Sequence, residues 1–306
     1  MTLRFMAIAA FALTGMASHA QRAPRPDLEG VWIGATLTPL QRPAGFRDRA
    51  TFTKEEAAEY VRATPDRARS RLATEADRLI QSDIDATAVE VEQYALDGLR
   101  TSLIVDPPDG MLPALVPAAR ARIAARPKRA YDDPELFSPG ERCLVAMFGL
   151  GGSAASPPMT PSEVIPWFYS IVQTESTVLI FAEWIHDARI VRMNGTHRPP
   201  SLRSWLGDSI GRYEGDALVV DTTNFRPETH QLDSSERMHV VERFTRLDTK
   251  TLRYRVTVED PDTWAAPWTA EWSFRASDAK LIPAECHEGN YAIVHFLRGA
   301  RAQEQR

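Results

Sequence analysis

The chain lacks the motifs that mark most nucleotide-binding and metal-binding proteins. Its 306 residues contain no Gly-x-Gly-x-x-Gly fingerprint, no Gly-x-x-x-x-Gly-Lys-Ser/Thr loop and no His-Glu-x-x-His motif. These absences argue against dinucleotide-binding, P-loop and zincin chemistry. The seven histidines include no pair at His-x-His or His-x-x-x-His spacing, which would be a starting point for a metal site. We therefore predict a protein that needs neither a metal ion nor a cofactor.

Long apolar runs are also scarce, and the main one lies at the N-terminus. Arg4 precedes the apolar stretch FMAIAAFALTG, and Ser18-His19-Ala20 fits the small-x-small rule for signal-peptide cleavage. The run is too short to span a bilayer comfortably. Residues 1–20 are therefore predicted to be a signal peptide cut after Ala20, with the mature protein periplasmic or secreted. The later sequence predicts no membrane anchor, and the net charge of −5 argues against nucleic acid or an anionic membrane as a partner.

Only two cysteines occur, Cys143 and Cys286, and the second lies in the polar string ECHEGNY. In an exported protein two cysteines favour a single disulfide bond, although two free thiols stay open. A catalytic cysteine needs to stay reduced, and a metal site here would have to recruit distant histidines such as His197. We therefore predict a disulfide between the two cysteines, with His287 or Glu288 available to face the mouth of a cavity.

Apolar and polar residues alternate with a period of two from Phe168 onward, which is typical of half-buried strands. The alternating segments are FYSIVQT, TVLIFAEWI, ARIVRM, ALVVDTTNF, HVVERFTRL, TLRYRVTVE and WTAEWSFRA. Short turns join most of them, which predicts antiparallel hairpins, and a meander this long must close or stack to hide its edges. We predict a mainly-β fold, a lipocalin-like antiparallel up-and-down barrel that forms a single domain over residues 21–306.

Helical patterns interrupt this β-rich sequence in three places. Residues 53–98 are predicted to be a helical insertion, because Thr53 and Glu56 form a capping box and Thr64-Pro65 reads as a second helix start. PAARARIAAR predicts a short basic helix, and YAIVHFLRGARAQEQ predicts a C-terminal one. The helices of residues 53–98 are expected to pack outside the barrel.

The segment TVLIFAEWI holds the first candidate catalytic residue. Alternation puts Glu183 on one face with the apolar Leu179 and Phe181. If that face looks into the barrel, Glu183 is a desolvated carboxyl suited to general acid or base catalysis. A solvent-facing position on the outer rim, or pairing with a structural arginine, stays open.

The segment HVVERFTRL provides a second candidate face. His239 and Arg243 share it, and together they suit a buried site for a phenolate or carboxylate. A satisfied core histidine is the alternative. The opposite face carries Glu242 and Arg246, which are predicted to form a surface ion pair of little energetic weight.

The turn after TVLIFAEWI groups charged residues. His186, Asp187 and Arg189 could bind an anion or an enolate-like intermediate, although an ordinary charged turn is also consistent with this pattern. Aromatic residues on or beside strands could stack on a ligand ring, although most are expected to be core. The candidate substrate-binding residues are His186, Arg100, Tyr169, Tyr254 and His287, and Trp205 is a further aromatic residue beside a strand.

Several long strings in the chain resemble a large family of exported bacterial proteins that are mostly uncharacterised. The strings are DPPDG, WLGDSIGRYEGDALVVDTTNF, MHVVERFTRLDTKTLRYRVTVEDP, PWT and CHEGNY. The resemblance extends from about residue 27 to the C-terminus. It implies a link to cofactor-free lyases that break down lignin-derived aromatic compounds.

Two functional hypotheses follow from these patterns. The first is a cofactor-independent acid/base lyase or isomerase for a small aromatic compound, in which Glu183 or His239 moves the proton and Arg189 or Arg243 holds the anion. C–C cleavage with release of formaldehyde is one reaction of this kind. The second hypothesis is a lipocalin-like protein that binds a small hydrophobic or aromatic molecule without turnover. The sequence also leaves a homodimer open.

Overall fold

The structure is a computed structural model that describes residues 25–63, 96–126, 133–148, 152–161, 167–228, 231–282, 286–288 and 290–305. The strands in these ranges are β1 (Gly30–Ile33), β2 (Ile104–Asp106), β3 (Met147–Phe148), β4 (Gly152–Ser153), β5 (Phe168–Gln173), β6 (Thr177–Ala182), β7 (Ala188–Met193), β8 (Asp208–Glu214), β9 (Ala217–Thr223), β10 (His239–Arg246), β11 (Thr251–Glu259) and β12 (Trp268–Ser277).

Nine of these strands close into a barrel. The order is β1, then β5 to β12 in sequence, and β1 closes the ring because it pairs with both β5 and β12. β2 adds to the other end of β12 beside an irregularity at Thr269/Ala270, and β3 and β4 form a separate small pair. The predicted mainly-β barrel is confirmed.

The hairpins arise where the sequence places short turns. Glu214 pairs directly with Ala217 across the β8–β9 hairpin, which leaves a two-residue loop. Gly215 begins that loop with a left-handed φ of 61°, a conformation that two-residue hairpins require and glycine adopts without strain.

One strand pair departs from the predicted antiparallel order. β7 and β8 run parallel, with Val191 opposite Ser209 and Met193 opposite Gly211. Parallel neighbours cannot be joined by a tight turn. Residues 194–207 therefore form a crossover segment that returns the chain to the start of β8. The prediction of a fully antiparallel, up-and-down barrel is wrong at this pair.

The barrel interior is filled by packed side chains. Those buried on the inner faces of the strands include Trp32, Tyr169, Val178, Ile180, Ala182, Arg189, Val191, Leu218, Val220, Val240, Glu242, Phe244, Leu252, Tyr254, Val256, Trp272 and Phe274. Tyr169 and Tyr254 stack on the Phe274 ring at centroid distances of 5.3 and 5.4 Å. Each large apolar side chain of this kind contributes roughly 1.5–3 kcal/mol when fully buried.

Three helices accompany the barrel in the described ranges: α1 (Lys54–Arg62), α2 (Pro117–Ala124) and α3 (Tyr291–Glu304). The predicted capping box at the start of α1 is present, with Thr53 Oγ1 accepting from the Glu56 N–H and the Glu56 carboxylate accepting from the Thr53 N–H. The rest of the predicted insertion, residues 64–95, lies outside the described residues, as does the predicted signal peptide. None of the described helices is long and apolar enough to cross a membrane.

Cys143 and Cys286 form the predicted disulfide, with their Cα atoms 5.6 Å apart. The bond fastens the segment before α3 to the loop that precedes β3. Asn290, next to α3, donates its Nδ2–H to the Glu141 carbonyl at 2.7 Å and strengthens the same junction. A disulfide of this kind indicates an oxidising, exported environment.

Candidate functional site

A cleft of about 380 Å³ opens where β7 and β8 separate. Pairing between the two strands begins only at Val191, so the backbone of residues 188–190 faces the cleft. The lining residues are Leu144, Asp187, Ala188, Arg189, Ile190, Arg192, Arg198, Ser204, Trp205, Leu206, Gly207, Asp208 and Ser209. They include residues from both faces of β7, and the cleft therefore reaches into the barrel wall.

Two glycines shape this separation. A Cβ at Gly211 would lie 2.7 Å from Val191 Cγ1 and 2.9 Å from Met193 Sδ, so glycine is what allows β8 to approach β7 there. Gly207 has a left-handed φ of 71° and turns the crossover into β8. The strands are thus close at one end and open at the other.

Asp187 is a buried carboxyl of the cleft, and its surroundings raise its pKa. It follows Ile185 and His186, which adopt left-handed φ values of 56° and 55°, and a β-branched residue there is strained. Asp187 is 8% exposed, and its Oδ2 accepts from the Ala146 N–H at 2.7 Å. Burial raises the pKa of the Asp187 carboxyl to about 6, although the Ala146 N–H opposes the shift. A carboxyl in this range can take up or release a proton near neutral pH.

The outer side of the cleft is rich in arginine. Arg192 Nη2 donates to both carboxylate oxygens of Asp208 at 2.8 and 2.9 Å. Arg198 is different, because its Nε reaches Asp208 Oδ1 only at 3.7 Å while its side chain is 59% exposed. Burial acts to raise the pKa of Asp208, but hydrogen bonds from the Arg198 N–H and His197, together with Arg192, outweigh it and lower the pKa.

The crossover also places an aromatic ring at the cleft. Trp205 lines it, and the Arg226 guanidinium lies 4.9 Å from the Trp205 ring centroid. Ser204, next to Trp205, holds the crossover through its N–H to the Asn224 carbonyl at 3.1 Å, and its own carbonyl accepts from the Arg226 N–H at 3.0 Å. The ring is therefore attached to a fixed backbone.

A buried ion pair lies inside the barrel beside the cleft. Arg189 Nη2 donates to Glu242 Oε1 at 3.0 Å, and the Tyr254 hydroxyl donates to the same oxygen at 2.8 Å. Arg189 is 2% exposed and Glu242 0%. Desolvation raises the pKa of Glu242, while Arg189 and Tyr254 oppose the rise. The prediction that Glu242 forms a surface ion pair with Arg246 is wrong, because the Glu242 face is the inner face of β10.

A second polar chain runs over the outside of the barrel. His197 in the crossover lies 3.1 Å through Nδ1 from Asp208 Oδ2 and 3.0 Å through Nε2 from Asp221 Oδ1, and His239 Nε2 lies 2.9 Å from the same Asp221 oxygen. The hydrogen bond to Asp221 raises the pKa of His239. Across the part of the chain that the structure describes, no three His, Cys, Asp or Glu side chains come together as a metal site.

On β6 and β10, the candidate catalytic side chains do not lie on the face that points into the barrel. Val178 and Ile180 face inward on β6, and Glu183 lies beyond the strand end, where its Oε1 accepts from the Ile282 N–H at 2.7 Å. On β10, His239 and Arg243 lie on the outer face. The hypothesis that Glu183 and His239 enter one inner cavity is therefore wrong, and Glu183 lies at the rim, which the sequence left open.

The other predicted residues are dispersed. Arg243 binds Glu214 Oε2 at 2.9 Å on the outer wall, and Arg100 Nη2 binds the Glu271 carbonyl at 2.6 Å on β12. His186 and His287 are exposed and do not line the cleft. Of the predicted site residues, the structure places Arg189 at the cleft, and it places Tyr169 and Tyr254 in the barrel interior near Arg189.

No family model, curated protein or solved structure matches this chain. The family resemblance in its sequence therefore stays a prediction, and the site must be interpreted from its own geometry.

Four cleft residues were not singled out from the sequence as parts of one site: Arg192, Arg198, Trp205 and Asp208. The sequence groups Asp187 only with its charged neighbours His186 and Arg189. The available signal was the cluster of arginines around the THRPPS stretch and the aspartate after Gly207. Their convergence depends on the parallel pairing of β7 and β8, which alternation alone does not reveal.

Proposed function

We propose that the protein is an acid/base enzyme, a lyase or isomerase, that acts on a small aromatic compound in the cleft between β7 and β8. The observation that carries the proposal is the position of Asp187, a carboxyl with a pKa of about 6 on the wall of an open cleft. Perturbed carboxyls of this kind are typical of catalytic sites. Trp205 offers a surface for an aromatic ring, and the arginines of the cleft favour negative charge.

Asp187 alone can account for the proton movements of a formaldehyde-releasing cleavage. Its carboxylate takes the proton from the hydroxyl of an R–CH2OH group. The oxygen lone pair then forms the C=O bond of formaldehyde as the C–C bond breaks, and the electron pair of that bond stays on R. The protonated Asp187 returns its proton to R, which leaves R–H. No electrons are gained or lost overall, so this reaction needs no oxidant or reductant.

The arginines have a separate role in this proposal. Negative charge develops on R as the C–C bond breaks, and a cation in a partly desolvated cleft stabilises such charge more strongly than it does in water. Arg189 is the buried cation of the cleft, although Glu242 shares its charge. Arg198 is the cation that a bound substrate can contact directly, because its side chain is exposed and its ion pair is long.

We place this activity in the periplasm or outside the cell. The disulfide between Cys143 and Cys286 supports an oxidising compartment, and the N-terminal sequence supports export. Cys143 is three residues before Ala146, whose N–H binds Asp187. Formation of the disulfide therefore also helps to hold the backbone that positions Asp187.

The experiment is a turnover screen with purified, oxidised protein and no added cofactor. Lignin-derived phenolic compounds that carry a hydroxymethyl group are tested for release of formaldehyde and for isomerised product. Asp187→Asn should lower kcat by roughly 10²- to 10⁴-fold, the usual loss for a general acid or base. Asp216→Asn, an exposed carboxyl in the β8–β9 turn, is the matched control and should leave kcat unchanged. If compounds bind but none is turned over, the protein is a binding protein and the enzyme proposal fails.

A further inference from the structure

The cleft is lined by two chemically different charged residues. Asp187 is 8% exposed, whereas the Arg198 side chain is 59% exposed. Trp205 also lines the cleft and is half-buried. A ligand that fills the cleft therefore meets both a buried carboxyl and an exposed cation.

Arg198 is held in place through its backbone rather than through its guanidinium. Its N–H donates to Asp208 Oδ2 at 2.9 Å, and its carbonyl accepts from Asn224 Nδ2 at 2.9 Å. Asp208 in turn is bound by Arg192 and lies beside His197, so its charge is already shared. An arginine has five N–H donors, and one long contact to a shared carboxylate leaves most of them available to a ligand.

Trp205 supplies the aromatic part of the site. The Arg226 guanidinium lies over the ring at 4.9 Å, but Arg226 is not one of the residues that line the cleft. Trp205 therefore lines the cleft, whereas the Arg226 guanidinium that lies near its ring does not. Its volume of about 380 Å³ is at the lower end of the range for small-molecule pockets, which favours a compact ligand.

We infer that the natural ligand is a compact aromatic carboxylate whose ring stacks on Trp205 and whose carboxylate binds Arg198. This inference rests on the proposed function and adds the ligand class and its orientation. The reacting group is then the part of the ligand that contacts Asp187, which lines the same cleft. A carboxylate is favoured over a neutral polar group because it complements the exposed cation Arg198 and forms charge-assisted hydrogen bonds with a guanidinium.

The test measures binding by isothermal titration calorimetry and does not depend on turnover. Benzoate is compared with benzamide, which has the same shape and no charge, and with cyclohexanecarboxylate, which has the charge and no aromatic ring. The wild-type protein should bind benzoate about ten- to a hundredfold more tightly than benzamide, the range expected for hydrogen bonds to a charged group. It should also bind benzoate more tightly than cyclohexanecarboxylate.

Two substitutions separate the contributions of charge and ring. Arg198→Gln should bring benzoate affinity down to that of benzamide and leave benzamide affinity unchanged. Trp205→Leu should weaken benzoate and benzamide alike and have little effect on cyclohexanecarboxylate. Arg212→Gln is the control, because Arg212 is exposed and pairs with Glu214 away from the cleft. Thermal melting checks that each variant is folded.

The outcomes distinguish this inference from the proposed enzyme activity. If the wild type does not prefer benzoate to benzamide, or if Arg198→Gln keeps the preference, the inference is wrong even where Asp187→Asn abolishes turnover. If the preference is present and depends on Arg198 but no compound reacts, the ligand class holds and the enzyme proposal fails. Absence of binding by all three compounds overturns the inference.

Discussion

Asp187→Asn should make the protein more stable at neutral pH while it lowers kcat. The ordinary pKa of an aspartate is 3.8, and in the folded protein burial raises the pKa of Asp187 to about 6. Ionising this carboxyl is therefore harder in the folded state than in the unfolded state. Asparagine keeps an oxygen that can accept from the Ala146 N–H and removes the charge, so the cost of burying the charge disappears.

The size and sign of this effect follow from linkage between protonation and folding. A difference of about 2 pKa units corresponds to about 3 kcal/mol, because one unit is 1.36 kcal/mol. Between pH 3.8 and pH 6 the folded state binds more protons than the unfolded state, so wild-type stability falls as pH rises through this range. The advantage of Asp187→Asn should be about 1.5 kcal/mol at pH 5 and about 3 kcal/mol at pH 8.

The assay is urea denaturation of the wild type and Asp187→Asn at pH 5 and pH 8, followed by tryptophan fluorescence. Asp216→Asn serves as the control, since this exposed carboxyl lies in the β8–β9 turn and does not line the cleft. A stability advantage that does not grow with pH, or a variant less stable than the wild type at pH 8, would refute the reasoning. A gain in stability with a loss of activity is the trade-off expected of a strained functional site.

Three further results are expected. Replacing both Cys143 and Cys286 with serine should lower the free energy of unfolding by up to about 5 kcal/mol, measured by urea denaturation, because the bond closes a loop of 143 residues; an unchanged midpoint would contradict this. Glu242→Leu should destabilise the protein by about 3–5 kcal/mol, because it leaves Arg189 as a buried unpaired cation, and adding Arg189→Met should recover most of the loss; a double variant as unstable as the single one would contradict the pairing. His239→Gln should lower stability most below pH 6.5, since the raised pKa of His239 gives stability that is lost as pH rises through the folded-state pKa; a pH-independent difference in melting temperature would show that the histidine stabilises the fold without its charge.

The strand segments could be predicted from sequence because period-two alternation and turn residues are local signals. FYSIVQT and ARIVRM became β5 and β7 almost residue for residue. Which face of a strand points inward was harder to predict. On β6 the larger Leu179 and Phe181 face outward and the smaller Val178 and Ala182 face inward. Small side chains suffice on the inner face of β6, because Trp272, Phe274 and other large rings from other strands already fill the interior.

The candidate site was less predictable because it depends on one non-local pairing. The stretch of residues 194–207 between β7 and β8 is too long for a tight hairpin, which is a signal that a parallel crossover is possible. That crossover brings Arg198 and Trp205 to the cleft that Asp187 also lines. Alternation within a single strand contains no information about such an approach. The buried Glu242 was missed for a related reason, since its partner Arg189 lies on another strand.

The most direct test of the central claim is a carboxyl NMR titration of protein labelled with ¹³C at the aspartate side chains, with and without benzoate. The Asp187 signal is identified as the one missing in Asp187→Asn. It should titrate near pH 6, and benzoate should move its pKa upward, because a bound ligand excludes water and brings a second negative charge into the cleft. A signal that titrates near the ordinary value of 3.8, or that benzoate leaves unchanged, would contradict the placement of a small-molecule acid/base site between β7 and β8.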